Sequence, residues 1–187
     1  MDQFLKYITS VQSLGEAELN ALIAICSEVM IRKNQELQPV GHTCKTIYFV
    51  NKGMLRICYV KDGVDITESF EPEQSIVARA ESLFAGIPSR KAIHAVEDSE
   101  LIAVNAIKLY ELYDRYHTLE RLFRKIFEQQ YVRSINRLES FQFNSPEDRY
   151  RLLLDEQPDI LLRVPLKHVA SYLGITQVSL SRIRARK

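Results

Sequence analysis

The sequence predicts an α+β fold: a small N-terminal antiparallel barrel or sandwich flanked by helices, then a long helix and a C-terminal helix-turn-helix. Three observations predict it. Short β-rich runs separated by turn residues fill residues 29–104. Apolar residues at helical spacing fill residues 118–141. The stretch HVASYLGITQVSLSRIRARK has the glycine and apolar spacing of two short helices joined by a tight turn.

A helix is expected near the N-terminus, where Leu19, Leu22 and Cys26 recur at three- and four-residue spacing. Ser13 and Glu16 fit a capping box, in which two side chains satisfy free backbone N–H groups at a helix start. We therefore expect this helix to begin directly after Ser13.

The β-rich region predicts a small antiparallel barrel or sandwich of roughly seven or eight short strands. Asp62-Gly63 between two strand-like runs predicts a hairpin turn, because glycine accepts the positive φ that such turns need. Residues 79–92 are too polar and irregular for a strand, so we expect a short helical turn near residues 81–85 and then a loop that covers the barrel. A β-sandwich without a ligand stays open.

The apolar stripe of residues 118–141 is wider than the third of the circumference that a helix docked on one partner needs. The helix is therefore expected to contact the barrel and also a second helix, most economically its own copy in a two-fold dimer. Burial of the stripe inside one domain is the alternative. Ser145 and Pro146 suit the N-cap and first position of the next helix, which Pro158 should end.

Composition indicates a globular protein of 187 residues, with 46% hydrophobic and 26% charged residues. No apolar run approaches the length of a membrane span, and MDQFLKYITS lacks the pattern of a signal peptide, so we expect a cytoplasmic protein without a membrane partner. The three cysteines are far apart and form no CxxC motif, which argues against a disulfide framework or an iron–sulfur or four-sulfur zinc site.

Charge is distributed unevenly along the chain. Residues 160–187 contain six Lys or Arg and no Asp or Glu, whereas the other 159 residues contain 19 basic and 24 acidic groups, a net charge of −5. Such asymmetry predicts an anionic partner near the C-terminus. A solvated basic tail is the alternative explanation.

The C-terminal stretch predicts a helix over residues 166–173, a sharp turn at Gly174, and a second helix capped by Thr176. The first helix should bury Val169, Ala170 and Leu173, and the second should bury Leu180 and Ile183. A structural helix hairpin with a basic rim would share this pattern, so the outward side chains must indicate the function.

Those outward side chains suit duplex DNA. Glutamine can bond adenine and arginine can clasp guanine in the major groove, which fits Gln177 and Arg182. Hydroxyl groups beside free N–H groups at a helix start suit a phosphate, and further arginines add salt-dependent attraction. The predicted DNA-binding residues are Thr176, Gln177, Val178, Ser179, Ser181, Arg182, Arg184 and Arg186.

The order of a β-roll, a long helix and the terminal HVASYLGITQVSLSRIR resembles the Crp/Fnr family of bacterial transcription regulators. The residues of this terminal motif are similar to those of the branch common in Bacteroidetes. The resemblance covers nearly the whole chain. It implies a dimeric, sequence-specific regulator, not an enzyme, with a winged helix-turn-helix and with RNA polymerase as a further candidate partner. Many members carry glutamate where Val178 stands, so the preferred DNA site should differ, with valine touching a thymine methyl.

The resemblance also implies that the strands form an antiparallel β-roll of the double-stranded β-helix or jelly-roll kind. It implies three segments: a cyclic-nucleotide-binding-like β-roll sensor domain (1–116), a long dimerisation helix with a hinge (117–143), and a helix-turn-helix DNA-binding domain (144–187). It places RAESLFAGIPSRKA at the family's phosphate-binding cassette. Arg90 matches, but Lys91 replaces a serine, and the Gly-Glu pair has become Arg79-Ala80 with Glu81 one position late.

The implied effector-binding residues are Glu81, Ser82, Arg90 and Lys91, with a cyclic nucleotide or another small anion as the candidate effector and no metal. Loss of the Gly-Glu pair predicts an altered or vestigial site, because a buried site lacking partner groups binds its ligand poorly. A plain surface ion pair between Arg90 and Glu81 is the alternative.

Two other classes of function stay open. An enzyme is disfavoured because the chain shows no catalytic triad signature, Walker loop or GxGxxG motif. A cyclic-nucleotide or small-anion binding module that acts through protein partners rather than DNA is the other alternative, and weak salt dependence of binding would favour it.

Overall fold

The computed structural model describes residues 1–185 and consists of a β-roll followed by helices. Its strands are β1 (Cys26–Ile31), β2 (Glu36–Gln38), β3 (Thr46–Lys52), β4 (Leu55–Lys61), β5 (Val64–Glu71), β6 (Ile76–Val77), β7 (Ala92–Ala95) and β8 (Ser99–Asn105). Its helices are α1 (Asp2–Val11), α2 (Glu16–Ala24), α3 (Ala80–Ala85), α4 (Ala106–Tyr113), α5 (His117–Phe143), α6 (Pro146–Glu156), α7 (Ile160–Arg163), α8 (Leu166–Tyr172) and α9 (Gln177–Ala185).

The roll consists of two antiparallel four-stranded sheets, in the orders β1-β8-β3-β6 and β2-β7-β4-β5. Wholly or nearly wholly buried apolar side chains from both sheets, such as Val50, Leu55 and Ile93, fill the space between them. The β4–β5 hairpin turns at Asp62 and Gly63, which both have positive φ (52° and 76°). The predicted antiparallel roll and its hairpin are therefore confirmed.

The N-terminal helices cover one end of the roll together with α4 and the first half of α5. Phe4 and Ile8 of α1 pack with Phe49 of β3 and Phe123 of α5 in a common core. The capping box predicted from Ser13 is wrong. The Gly15 N–H donates to Glu18 Oε2 over 2.7 Å, and α2 begins only at Glu16.

Helix α5 changes its environment along its length. Its first half is buried, with Leu119, Leu122 and Ile126 inaccessible to solvent. Its second half exposes large apolar side chains, including Tyr131 (67%) and Phe143 (78%). Burial inside one domain therefore accounts for the N-terminal half of the apolar stripe only.

The C-terminal helices form a second apolar core that continues into the roll. Leu153, Val169, Leu173 and Leu180 pack together there, and the same cluster includes Met54, Phe70 and Val96 of the roll. Helix α6 begins as predicted, because Ser145 Oγ accepts the Asp148 N–H over 3.2 Å and Pro146 occupies the first position. Within residues 1–185, no helix combines the length and apolar character needed to cross a membrane.

Candidate nucleic-acid interface

Helices α8 and α9 form a tight helix-turn-helix around Gly174. Gly174 has φ +69°, a left-handed conformation that glycine adopts without steric cost. The Ile175 N–H donates to the Ala170 carbonyl and the Gly174 N–H to the Ser171 carbonyl, each over 3.0 Å. This pair of bonds is a Schellman motif, which satisfies the Ala170 and Ser171 carbonyls in the last turn of α8 while the chain reverses. The turn predicted from the glycine is confirmed.

Thr176 caps the second helix as predicted. Its Oγ1 accepts the Ser179 N–H over 3.1 Å and lies 2.9 Å from the Ser179 hydroxyl. Because that side chain satisfies one of the free N–H groups at the start of α9, the helix begins at Gln177.

The predicted DNA-binding residues lie on the solvent side of this helix or at its start. Leu180 is wholly buried and Ile183 partly buried, which turns the opposite face outward. Ser179 is half-buried. The exposed members are Thr176, Gln177, Val178, Ser181, Arg182 and Arg184. Arg186 lies outside the described residues.

The four predicted effector residues are not gathered in one site. Ser82 is buried and fully used by the fold, since its hydroxyl donates to the Ile87 carbonyl and accepts the Cys44 N–H. Glu81 and Arg90 are exposed, and no ion pair joins them in the described part of the chain. Lys91 is half-buried and pairs with Glu68 of β5.

A cavity of about 390 Å³ lies between the roll and α5, and of the four predicted residues only Glu81 lines it. Its most buried charged group is Arg79, whose side chain is 7% exposed and whose Nη1 lies 3.7 Å from Glu68 Oε1. The Arg79 Nε has no hydrogen-bond partner in the structure. Glu68 therefore lies between Arg79 and Lys91 and is shared by both cations.

The α5 side of the cavity carries Arg133 and Arg137. Arg133 Nη1 lies 3.1 Å from Oε2 of the buried Glu71, whose pKa is raised by burial. The cavity thus combines three arginines with three glutamates, Glu81 included. Sequence reasoning missed Glu68, Glu71 and the α5 arginines, although Arg79 in place of a cassette glycine was a visible sign.

Comparisons with known proteins show which solved structures share this architecture. No protein-family model matches the chain, and no curated protein matches it either. Solved structures do match. FixK2 from Bradyrhizobium japonicum is 18% identical with a TM-score of 0.76, over 87% of this chain and 84% of that one. The c-di-GMP-responsive global regulator CLP of Xanthomonas campestris is 15% identical with a TM-score of 0.72, over 92% and 91%.

A candidate Crp/Fnr-family transcriptional regulator from Eubacterium rectale is 17% identical with a TM-score of 0.72, over 91% of this chain and 82% of that one. This chain has the Crp/Fnr fold. The fold class predicted from the sequence is thereby confirmed.

In this Crp/Fnr fold, a polar network fixes α8 against β4 and β5. Arg56 Nη1 and Nη2 donate to the two carboxylate oxygens of Asp65 over 3.0 and 2.9 Å, and Nη1 also lies 2.8 Å from His168 Nδ1. Ser171 Oγ accepts the Thr67 N–H over 2.9 Å. A second contact joins α7 to the roll, where Arg163 pairs with Glu73 over 2.8 Å and also with Glu97.

His168 is neutral in this network. Its Nδ1 can only accept from Arg56, because a guanidinium has no acceptor, so the ring proton lies on Nε2. Burial, and then the charge of Arg56, lower the pKa of His168 to about 4. The same arginine acts on Asp65: burial raises the pKa of that carboxyl, but the Arg56 hydrogen bonds and charge outweigh it and lower it overall. No local motif in the sequence predicts this cluster.

Proposed function

We propose that the chain is a Crp/Fnr-family transcription regulator that binds duplex DNA sequence-specifically through α9 and is not an enzyme. The observation that carries the proposal is the exposed face of α9, where Gln177, Val178, Ser181 and Arg182 point to solvent beside a capped turn. No acidic residue follows Asp159 in the chain, so this face lies in a basic segment. The regulators that share the fold support the same class of function.

The chemistry of this face assigns a role to each group. Gln177 and Arg182 are free to bond adenine and guanine edges, and the exposed Val178 offers a methyl contact to thymine. Arg184, together with Arg186 beyond the described residues, would contact phosphates. The Thr176 and Ser179 hydroxyls bond each other, and that of Thr176 also accepts the Ser179 N–H, so they would reach a phosphate only through their remaining hydrogen-bonding capacity.

We propose a two-fold dimer through the second half of α5. Tyr131, Val132, Leu138 and Phe143 are each at least 56% exposed there. Large apolar side chains exposed along one helix favour burial against a partner, and a second copy buries them symmetrically. Residues 1–116 would then serve as the sensor, 117–143 as the dimerisation helix and hinge, and 144–187 as the DNA-binding domain.

We further propose that the roll cavity is an effector site altered so that it binds cyclic nucleotides poorly. Glu68 already pairs with both Arg79 and Lys91, so an anionic ligand must displace a carboxylate that is held by both. Calorimetry with cyclic AMP tests this directly. Binding at micromolar concentrations by the unmodified protein would contradict the proposal.

Selection from a random-site DNA library tests DNA binding. We expect an enriched palindrome whose half-sites lie about one helical turn apart, around 10 base pairs, as a dimer requires. We expect Arg182→Ala to weaken binding and relax the preference at one base position by about 1–3 kcal/mol. Lys6→Ala removes an equivalent charge at an exposed position of α1 and should leave binding unchanged.

The alternative is an anion-binding module that acts through protein partners. It predicts no enriched palindrome and no steep loss of binding as salt rises, whereas DNA binding predicts both. RNA polymerase is a further partner that we propose for the DNA-bound dimer.

A further inference from the structure

We infer that Arg137 and Arg149 are positioning residues for DNA binding, which hold the turn between α8 and α9 against the end of α5. This inference rests on the proposed function. The two arginines and the ring of Phe141 between them are called the arginine clasp below.

The clasp binds the last carbonyls of α8. Arg137 Nη2 donates to the Tyr172 carbonyl over 2.8 Å. Arg149 Nε and Nη2 donate to the Leu173 carbonyl over 3.1 and 3.0 Å. Carbonyls at a helix C-terminus carry partial negative charge and have free hydrogen-bonding capacity, so a guanidinium stabilises them strongly.

Aromatic rings complete the clasp. The Arg137 guanidinium carbon lies 3.6 Å from the centroid of the Tyr172 ring and 4.9 Å from that of Phe141, and the Arg149 carbon lies 4.8 Å from the Phe141 centroid. A Cβ added to Gly174 would lie 2.8 Å from Phe141 Cε1, so the ring contacts the turn itself. Two cation–π contacts therefore hold one ring against the turn.

The clasp connects three helices. Arg137 and Phe141 belong to α5, Arg149 belongs to α6, and their partners end α8. Arg149 Nη1 also donates to the Asn144 carbonyl over 2.7 Å, which ties the α5–α6 junction to the same group. Only Gly174, Ile175 and Thr176 separate the bound carbonyls from α9. The end of α5 therefore contributes, together with the contacts of α8 with the roll, to the direction in which α9 faces.

Arg137 also lines the roll cavity, where Glu68 acts on it electrostatically. An anion that reaches the cavity would therefore attract the same guanidinium that binds the Tyr172 carbonyl. This gives the cavity a direct physical connection to the turn, with no intervening residue.

Arg137→Lys and Arg149→Lys test the inference, because lysine keeps the charge but loses the planar fork. We expect each variant to bind the selected DNA site about five- to tenfold more weakly. The slope of log affinity against log salt should stay unchanged, because neither arginine contacts phosphate. By contrast, Arg184→Ala should reduce that slope by about one unit, as loss of a phosphate contact does. Arg124→Lys, on α5 but paired with Glu128 away from the turn, is the matched control and should bind like the unmodified protein.

Amide hydrogen exchange provides a readout without DNA and at a temperature where all variants are folded. We expect the Gly174 and Ile175 amides to exchange faster in the two lysine variants than in Arg124→Lys. Unchanged exchange together with unchanged affinity overturns the inference, and so does a reduced salt slope in either lysine variant. If the unmodified protein binds no duplex, the proposed function fails, while the exchange data still decide whether the clasp holds the turn.

Discussion

Gly174→Ala gives a quantitative test of how the helix-turn-helix is built. The residue has φ +69°, and a left-handed backbone costs an L-residue about 1–2 kcal/mol. The added Cβ would lie 2.8 Å from Phe141 Cε1, closer than carbon atoms pack. Only one atom of the ring overlaps, since the next two lie 3.7 Å away, and Phe141 is 40% exposed, so this overlap should cost about 1 kcal/mol, the low end for overpacking.

The sum is a loss of about 2–3 kcal/mol in the free energy of unfolding. That corresponds to a fall of roughly 4–12 °C in the melting temperature of a protein of this size. Urea denaturation monitored by circular dichroism measures the free energy, and the m-value should stay unchanged because the surface exposed on unfolding is the same.

A double-mutant cycle separates the two contributions. In a Phe141→Ala background the overlap is gone, so Gly174→Ala should cost only the backbone term of about 1–2 kcal/mol. An equal cost in both backgrounds would show that the ring does not contact the turn. A cost below about 0.5 kcal/mol in the natural background would refute the left-handed conformation itself.

Three further outcomes are expected. Leu180→Ala should lower the free energy of unfolding by about 2–5 kcal/mol, because its side chain is wholly buried, and a urea-measured loss below 1 kcal/mol would contradict the packing of α9. His168 has a pKa of about 4 when folded against about 6.5 when unfolded, so its contribution to the free energy of unfolding is complete above pH 6.5 and is lost as the pH falls towards 4. His168→Gln should flatten the dependence of the urea midpoint on pH in that window. An unaltered profile would refute the neutral Arg56 contact. Glu68→Gln should free Arg79 for an anion, so calorimetry should show that the variant binds inorganic phosphate or cyclic AMP more tightly than the unmodified protein does. Equal affinity would count against a shared carboxylate.

Local signals in the sequence were enough to predict the turn between α8 and α9 and the β4–β5 hairpin. Gly174 and Thr176 act on neighbours within a few positions, and Asp62-Gly63 closes a two-residue turn, so each could be predicted from its own context. The same local reasoning was wrong at Ser13. Glu18 accepts the Gly15 N–H from within the first turn, which moves the start of α2 two residues along the chain and leaves Ser13 outside.

The cavity could not be predicted in this way, because its partners are distant in sequence. Glu68 lies on β5, whereas Arg79 precedes α3 and Lys91 precedes β7, and Glu71 pairs with Arg133 across 62 positions. Ser82 was expected to face an effector, yet the fold uses its hydroxyl to join the Cys44 N–H to the Ile87 carbonyl. Side-chain pairing between elements depends on register and packing, which a single sequence does not specify.

The apolar core of the C-terminal helices includes Met54, Phe70 and Val96, which belong to the roll. A shortened protein that ends at the close of α5 would therefore present these three side chains to water, along with the charged surface that receives Arg163. Such a fragment should self-associate on storage, so ligand measurements on an excised sensor would report on an altered surface. The sensor therefore has to be studied together with the C-terminal helices.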